Sequence, residues 1–348
     1  MRALVFEAPG RVALATAPDP TLLEPGDALV RARRVAICGS DLHVYRGRET
    51  GLDAGTIMGH ELAGEVVAVG RGVTRLSPGD EVVSAFSTNC GDCFYCRSGL
   101  TSRCERGQLF GWVERGRGLH GVQAELVRVP LADSTLMRVP EGSDPEEALL
   151  AGDVLATGWF GAESAGARPG TVVAIVGCGP VGLMAVVAAR LLGAERILAC
   201  DGVPERLALA ASFGAEPIDV SATVAPQLVR ERTAGRGADA VVEAVGTPEA
   251  TRLAFELCRP GATIAAVGVH TEERVAFSPG EAYEKNLTYR AGRAPARALM
   301  ERLLPRLAET PLGLGRIVSH RLPLADGPRA YDLFDRRLEG CTKVVLEP

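Results

Sequence analysis

Four cysteines fall within fifteen residues, in the pattern Cys90-x2-Cys93-x2-Cys96-x7-Cys104. Four thiolates at this spacing can close a tetrahedral shell around zinc, with Zn–S bonds of about 2.3 Å. A closed shell leaves no position for a substrate, so this lobe is expected to hold structural zinc. An iron–sulfur cluster is the chemical competitor. The chain has nine cysteines, an odd number. Met1–Phe6 runs straight into Glu7 and Pro9, too short for the apolar core of a signal peptide. A reducing, cytoplasmic location is therefore expected, where clustered cysteines bind metal more often than they form disulfides.

A second constellation is Gly177-Cys178-Gly179-Pro180-Val181-Gly182. A G-x-G-x-x-G alone is a weak signal. Here it follows an apolar run, opens a helical pattern, and is followed by Asp201 nineteen residues beyond Gly182. The glycines permit a tight turn and close approach to a pyrophosphate, and the free N–H groups of a helix start favour that anion. Asp201 is placed to accept from adenosine ribose hydroxyls, and its charge opposes a 2′-phosphate, which favours NAD over NADP. Its alternative role is a helix cap before Pro204.

Cys38-Gly39-Ser40-Asp41-Leu42-His43 and Gly59-His60-Glu61 place a thiol and an imidazole in glycine-rich loops. Both side chains suit zinc. A lone Cys or His is more often a buried structural residue, so residue types alone leave this pair open.

The elements that must position these groups differ between the two parts of the chain. Ala28–Ala32, Glu65–Val69 and Glu81–Ala85 read as short strands, two of them preceded by the turn signals Pro25-Gly26-Asp27 and Ser77-Pro78-Gly79-Asp80. That spacing predicts an antiparallel or barrel-like β domain. After about residue 153 the pattern changes. Strands are predicted at Thr171–Val176, Arg196–Cys200, Asp239–Val245 and Ala262–Val269, and helices at Val181–Leu192, Pro204–Phe213 and Pro248–Cys258. Alternation of this kind predicts a doubly wound parallel sheet. A helix over Pro295–Glu309, a strand near Ile317–Leu322, a helix near Pro328–Arg337 and a strand Thr342–Leu346 follow, and the last of these break the alternation, as if returning to the first domain.

The composition agrees with a two-domain globular protein of 348 residues. Charged residues make up 23% and hydrophobic residues 47%, and the net charge is −5. This balance argues against disorder and against a dedicated nucleic-acid surface. The uncharged stretch Pro169–Ala189 is broken by Gly177, Gly179 and Pro180, so it reads as strand, turn and buried helix, and no membrane span is expected.

Taken together, these motifs resemble the zinc-containing medium-chain dehydrogenase/reductase family. Gly59-His60-Glu61-x2-Gly64-x5-Gly70-x2-Val73 is similar to the zinc signature of that family, and the cysteine lobe and nucleotide fingerprint follow in the family's order. The resemblance implies a GroES-like β-barrel-type catalytic domain (1–153 and 293–348) around a Rossmann NAD-binding domain (154–292), with the active site in the cleft between them. It implies a catalytic zinc on Cys38 and His60, with Asp153 as third ligand, as in the formaldehyde-dehydrogenase-like branch. Asp153 could otherwise cap a helix at the domain junction. Glu61 is implied as a neighbouring or exchanging ligand, Asp41 as the group that orients His60, and Ser40 and His43 as the proton relay. Softer correspondences put Phe86 and the loop Gln108–Gly118 with Trp112 at the substrate, Thr157 beside nicotinamide, Arg206 at the adenosine ribose and Lys343 at the pyrophosphate.

The implied protein is an NAD-dependent zinc alcohol dehydrogenase with two zinc ions per chain. Its substrate is a primary or secondary alcohol, interconverted with an aldehyde or ketone. Polyols, sugars or amino alcohols are alternative substrates, and a catalytically silent binding protein is the alternative of another class. Silent members typically lose Cys38, His60 or the relay, all of which are present. The chain lacks the long loop of glutathione-independent formaldehyde dehydrogenases, which argues against tightly held cofactor. A cytoplasmic homotetramer is expected, with a dimer as the alternative.

Overall fold

The computed structural model describes residues 1–348. The chain forms two compact units, Met1–Ala156 with Pro295–Pro348, and Thr157–Ala294. Both joints fall a few residues beyond the boundaries expected from the sequence.

The first unit opens with a hairpin, Arg2–Ala8 against Arg11–Thr16, turned at Pro9-Gly10. Its main sheet has seven strands. In order they are His320–Pro323, Val344–Glu347, Ala28–Ile37, Glu61–Val69, Glu81–Ser84 and Leu136–Arg138, with Leu126–Val129 also paired to Ala28–Ile37. The strand Ala28–Ile37 is ten residues long and serves two partners on one edge. Ala28–Arg31 pairs with Leu126–Val129, while Val35–Ile37 pairs with Val344–Leu346.

Register decides what meets at the end of this strand. Ala36 lies opposite Glu61 and Ile37 opposite Val344. Cys38, His60, Glu61 and Lys343 are therefore delivered to one end of three adjacent strands, although they come from distant parts of the chain. The apolar face behind them, including Val35, Ile37, Leu62, Val66, Val344 and Leu346, is fully buried. Each such side chain contributes roughly 1.5–3 kcal/mol on burial, which fixes the register from which the polar groups project.

The returning C-terminal segment belongs to this unit. His320–Pro323 runs parallel to Val344–Glu347, and the helix Gly327–Arg336 makes the crossover between them. Ile317 closes a short 3₁₀ turn, so the strand predicted near Ile317–Leu322 begins only at His320.

The second unit holds a six-stranded, wholly parallel sheet. Its order is Glu216–Asp219, Arg196–Asp201, Val172–Val176, Ala238–Glu243, Cys258–Ala266 and Thr288–Ala291. This is the 3-2-1-4-5-6 order of a doubly wound dinucleotide-binding fold. Pro180, Pro204 and Pro248 each start the helix that follows a strand, where a missing N–H costs nothing. The helix Pro180–Leu191 is buried from Gly182 to Ala189, which accounts for the uncharged run that ends there, and its first charge, Arg190, is exposed in the last turn. No helix of the chain is long and apolar enough to cross a membrane.

Candidate metal and nucleotide sites

Cys38, His60, Glu61 and Asp153 bring one ligand atom each to within 4.8 Å of one another, all in the first unit. Asp153 lies between the helices Pro145–Ala151 and Val154–Ala165 and is 7% exposed. Its Oδ2 accepts from the Cys38 thiol at 3.1 Å and lies 3.4 Å from His60 Nε2. Cys38 is held from behind, since its backbone N–H donates to Asp41 Oδ2 at 2.9 Å. The other Asp41 oxygen lies 3.2 Å from His60 Nδ1. With Nδ1–H committed to Asp41, His60 turns Nε2 toward Cys38 and Asp153, so that loss of the Nε2 proton leaves the lone pair where a metal ligand needs it.

The electrostatics favour a cation at this place. Burial and the carboxylate of Asp153 raise the Cys38 pKa. Burial opposes charge on His60, yet Asp41 and Asp153 outweigh it and hold its pKa well above the usual value. Burial works against the Asp153 carboxylate, but the bond to His60 keeps its pKa low. Burial raises the pKa of Glu61, with Lys343 acting in the opposite sense. Glu61 Oε2 is buried with no hydrogen-bond partner. A thiol, two carboxylates and an imidazole, one carboxylate with an orphaned oxygen, form a donor set that fits zinc.

Lys343, expected at a pyrophosphate from the family resemblance, has protein partners in the structure. It is fully buried, and its ammonium is bonded to Glu61 Oε1 and, at 3.0 Å, to the Ile37 carbonyl. The cause is the pairing of Val344 with Ile37, which turns the preceding residue inward beside Glu61. No local motif signals this contact.

Around the cluster, Ser40 Oγ lies 3.4 Å from His60 Nε2. His43 sits on the short helix Asp41–Tyr45, and its Nδ1 is buried without a partner. Burial and the cations Arg48 and Arg46 lower its pKa, so the ring is neutral at pH 7. Phe86 is buried with its ring edge-on to His60, centroids 6.4 Å apart. Trp112 begins a small hairpin with Arg117–Leu119 and packs on the core of the first unit.

The cysteine lobe is a separate cluster. Cys90 and Cys96 sulfurs are 4.0 Å apart, as are those of Cys93 and Cys104. A tetrahedron with Zn–S bonds of about 2.3 Å has edges of about 3.8 Å, so the four sulfurs fit one zinc. Backbone N–H groups of Glu105 and Cys96 donate toward Cys93 and bring its pKa down to about 6, favouring thiolate. None of the nine cysteines forms a disulfide.

In the second unit, the fingerprint joins the strand Val172–Val176 to the helix Pro180–Leu191, with Gly179 at the N-cap. A Cβ at Gly182 would lie 1.8 Å from the Gly177 carbonyl oxygen, so only glycine fits there. Pro180 and Val181 form the first turn, and both are half-buried. Asp201 closes the neighbouring strand. Its Oδ2 accepts from Cys178 N–H at 2.7 Å and its Oδ1 from Val203 N–H at 2.9 Å. The carboxylate thus ties the fingerprint loop to its own turn, and each oxygen keeps a second lone pair for a ligand hydroxyl. Arg206 Nη1 stands 3.8 Å from Asp201 Oδ2. Thr157 lies on the helix Val154–Ala165, half-buried, at the start of this unit.

Residues 24–141 match the alcohol dehydrogenase GroES-like domain and residues 180–309 the zinc-binding dehydrogenase family. Zinc-type alcohol dehydrogenase B of Aspergillus flavus is 43% identical over 343 residues, 96% of this chain and 79% of that protein. Alcohol dehydrogenase TADH from Thermus sp. ATN1 is 44% identical with a TM-score of 0.94, over 100% of this chain and 99% of that one. Glutathione-independent formaldehyde dehydrogenase of Pseudomonas aeruginosa is 32% identical, over 100% of this chain and 97% of that protein. That alignment has 394 positions against 348 residues here, so at least 46 positions are absent from this chain.

Proposed function

The chain belongs to the zinc-containing medium-chain dehydrogenase/reductase family and is a zinc-dependent alcohol dehydrogenase, and from that premise we propose how its residues divide the work. Cys38, His60 and Asp153 hold the catalytic zinc, the four lobe cysteines hold a second, structural zinc, and the fingerprint binds NAD. The substrate is a primary or secondary alcohol, oxidised reversibly to an aldehyde or ketone. When bound, the catalytic zinc supplies Lewis acidity toward the substrate oxygen, and NAD supplies the hydride acceptor.

The remaining work falls to side chains. Asp41 fixes the His60 ring and the Cys38 loop together, so that two ligands are positioned by one carboxylate. Lys343 restrains Glu61 by one oxygen and leaves the other without a partner. Ser40 Oγ, beside His60 Nε2, takes up the proton of the substrate hydroxyl and gives up its own. His43 is the terminal base, because its ring is neutral at pH 7 and its Nδ1 is unpartnered. The alcohol loses a hydride from carbon and a proton from oxygen, and the reverse path restores both.

Asp201 favours NAD because a buried carboxylate repels a 2′-phosphate, with Arg206 beside it to meet ribose oxygens. The absence of at least 46 positions found in the formaldehyde dehydrogenase relative supports an exchangeable cofactor. The cysteine lobe, a metal-binding pattern typical of reducing compartments, supports a cytoplasmic location. A homotetramer is the assembly proposed from the family resemblance, and light scattering distinguishes it from a dimer.

The observation that carries this reading is the convergence of Cys38 Sγ, His60 Nε2 and Asp153 Oδ2 with the carboxylate of Glu61. The test is NADH formation, followed by absorbance, with alcohols of one to eight carbons, diols, polyols and threonine. Turnover of simple alcohols supports it. Turnover confined to polyols or threonine moves the substrate class, and no turnover with any of them contradicts the reading.

A further inference from the structure

Glu243 ends the strand Ala238–Glu243 and is fully buried. A carboxylate so placed needs donors, and the structure supplies three. Oε1 accepts from Val245 N–H at 2.7 Å and Gly246 N–H at 2.8 Å. Oε2 lies 2.8 Å from Nε2 of His270, a side chain 23% exposed beyond the next strand, Cys258–Ala266. The Glu243 carbonyl also accepts from Val267 at 2.9 Å and Gly268 at 3.1 Å. The two loops after these strands touch so closely that a Cβ at Gly268 would lie 2.2 Å from Gly246 N. One residue therefore fastens the loop 244–246 to the loop 267–270.

The place of this fastening matters. Val172–Val176 and Ala238–Glu243 are the neighbours at which the strand order of the sheet reverses, and Val176 stands opposite Glu243. In doubly wound sheets the ligand lies outside the carboxyl ends of the strands at that switch point. The fingerprint loop and Asp201 serve one mononucleotide half of such a fold. The loops after Glu243 and Ala266 belong to the other half.

We propose that Glu243 and His270 are positioning residues for the nicotinamide half of the bound dinucleotide. The inference rests on the NAD reading given above. His270 acts through Glu243. Its ring N–H completes the donor set of a buried carboxylate that in turn aims the Val245 and Gly246 amides and sets the path of Val267–His270. Without that donor the carboxylate is left partly unsatisfied, and the two loops lose the bond that joins their side-chain ends.

The test compares wild-type holoenzyme with His270→Ala and His270→Gln, titrating each with NADH and with AMP by calorimetry. AMP reports the adenosine half alone. His270→Ala should weaken NADH about tenfold, the scale of one charge-assisted hydrogen bond, raise the KM for NAD in step, and leave AMP affinity unchanged. His270→Gln keeps an N–H able to reach Glu243 and should recover most of the loss. Should His270→Ala not fold, His270→Asn, too short to reach Glu243, repeats the test on a polar side chain. Unchanged NADH affinity in the Ala or Asn variant overturns the proposal, as does equal loss of AMP and NADH, which marks general loosening. A wild type that fails to bind NADH overturns the NAD reading and this inference together, whereas a wild type that binds it beside an indifferent variant overturns this inference alone.

Discussion

Replacing Lys343 by Met removes one member of an ion pair whose partners are both wholly shielded from solvent. The Met side chain fills similar volume, so the loss is electrostatic. Glu61 would keep a buried carboxylate with one oxygen already lacking a partner, and the Ile37 carbonyl would lose the donor it has at 3.0 Å. Breaking one side of a buried pair costs about 3–5 kcal/mol. The pair lies in a unit built from Met1–Ala156 and Pro295–Pro348. For a unit of that size, each kcal/mol moves the midpoint by about 2–4 °C, so the expected fall is about 6–20 °C. Scanning calorimetry of zinc-loaded wild type, Lys343→Met, Glu61→Gln and the double variant measures it. The double variant should melt well above Lys343→Met, because the stranded charge is gone. A single variant melting within about 2 °C of wild type, or a double variant whose loss equals the sum of the two, would refute the argument that the pair is coupled.

Cys96→Ser should release the lobe zinc and lower the melting temperature, since structural zinc contributes folding free energy; a zinc count equal to wild type would contradict the closed-shell assignment. Asp201→Ser should shift the ratio of NADP to NAD efficiency by about tenfold or more toward NADP, the direction set by removing a like charge from a phosphate; steady-state kinetics with both cofactors decides it. The bond to Glu243 raises the pKa of His270 against its partial burial, with Glu272 adding to the rise. The stability this gives is fully present below about pH 6.5 and is lost as pH rises through the higher folded-state value. Melting temperature against pH should therefore show a decline above pH 6.5 in wild type that is absent from His270→Gln.

What the sequence made legible follows from how local each signal is. The cysteine lobe and the fingerprint lie within fifteen and six consecutive residues, so chemistry and spacing are read together. The strand–helix alternation after residue 153 was legible because buried parallel strands are continuous apolar runs. Glu216–Asp219 and Thr288–Ala291, at the two edges of that sheet, carry polar residues and gave no such run. Asp153 was reached only through family resemblance, since it meets Cys38 across 115 residues of sequence. The bond of Lys343 to Glu61 was not legible for a similar reason. Its contact with Glu61 spans 282 residues and depends on Val344–Leu346 pairing beside Val35–Ile37. Glu243 and His270 carry no motif, and their meeting follows from adjacent strands ending at the same level of the sheet.

The central claim is that Cys38, His60 and Asp153 form a zinc centre on which alcohol oxidation depends, distinct from the cysteine lobe. Its most direct test is zinc content and turnover measured on the same preparations of wild type, Asp153→Ala and Asp153→Cys. Wild type should carry two zinc ions per chain. Asp153→Ala should lose one zinc, or keep it with turnover reduced roughly 100-fold or more, as loss of a ligand should cost at least as much as the 10–100-fold typical of its supporting partners. Asp153→Cys should hold the metal better than Asp153→Ala, because it restores a ligand. An Asp153→Ala enzyme that keeps both zinc ions and near-normal turnover would contradict the account.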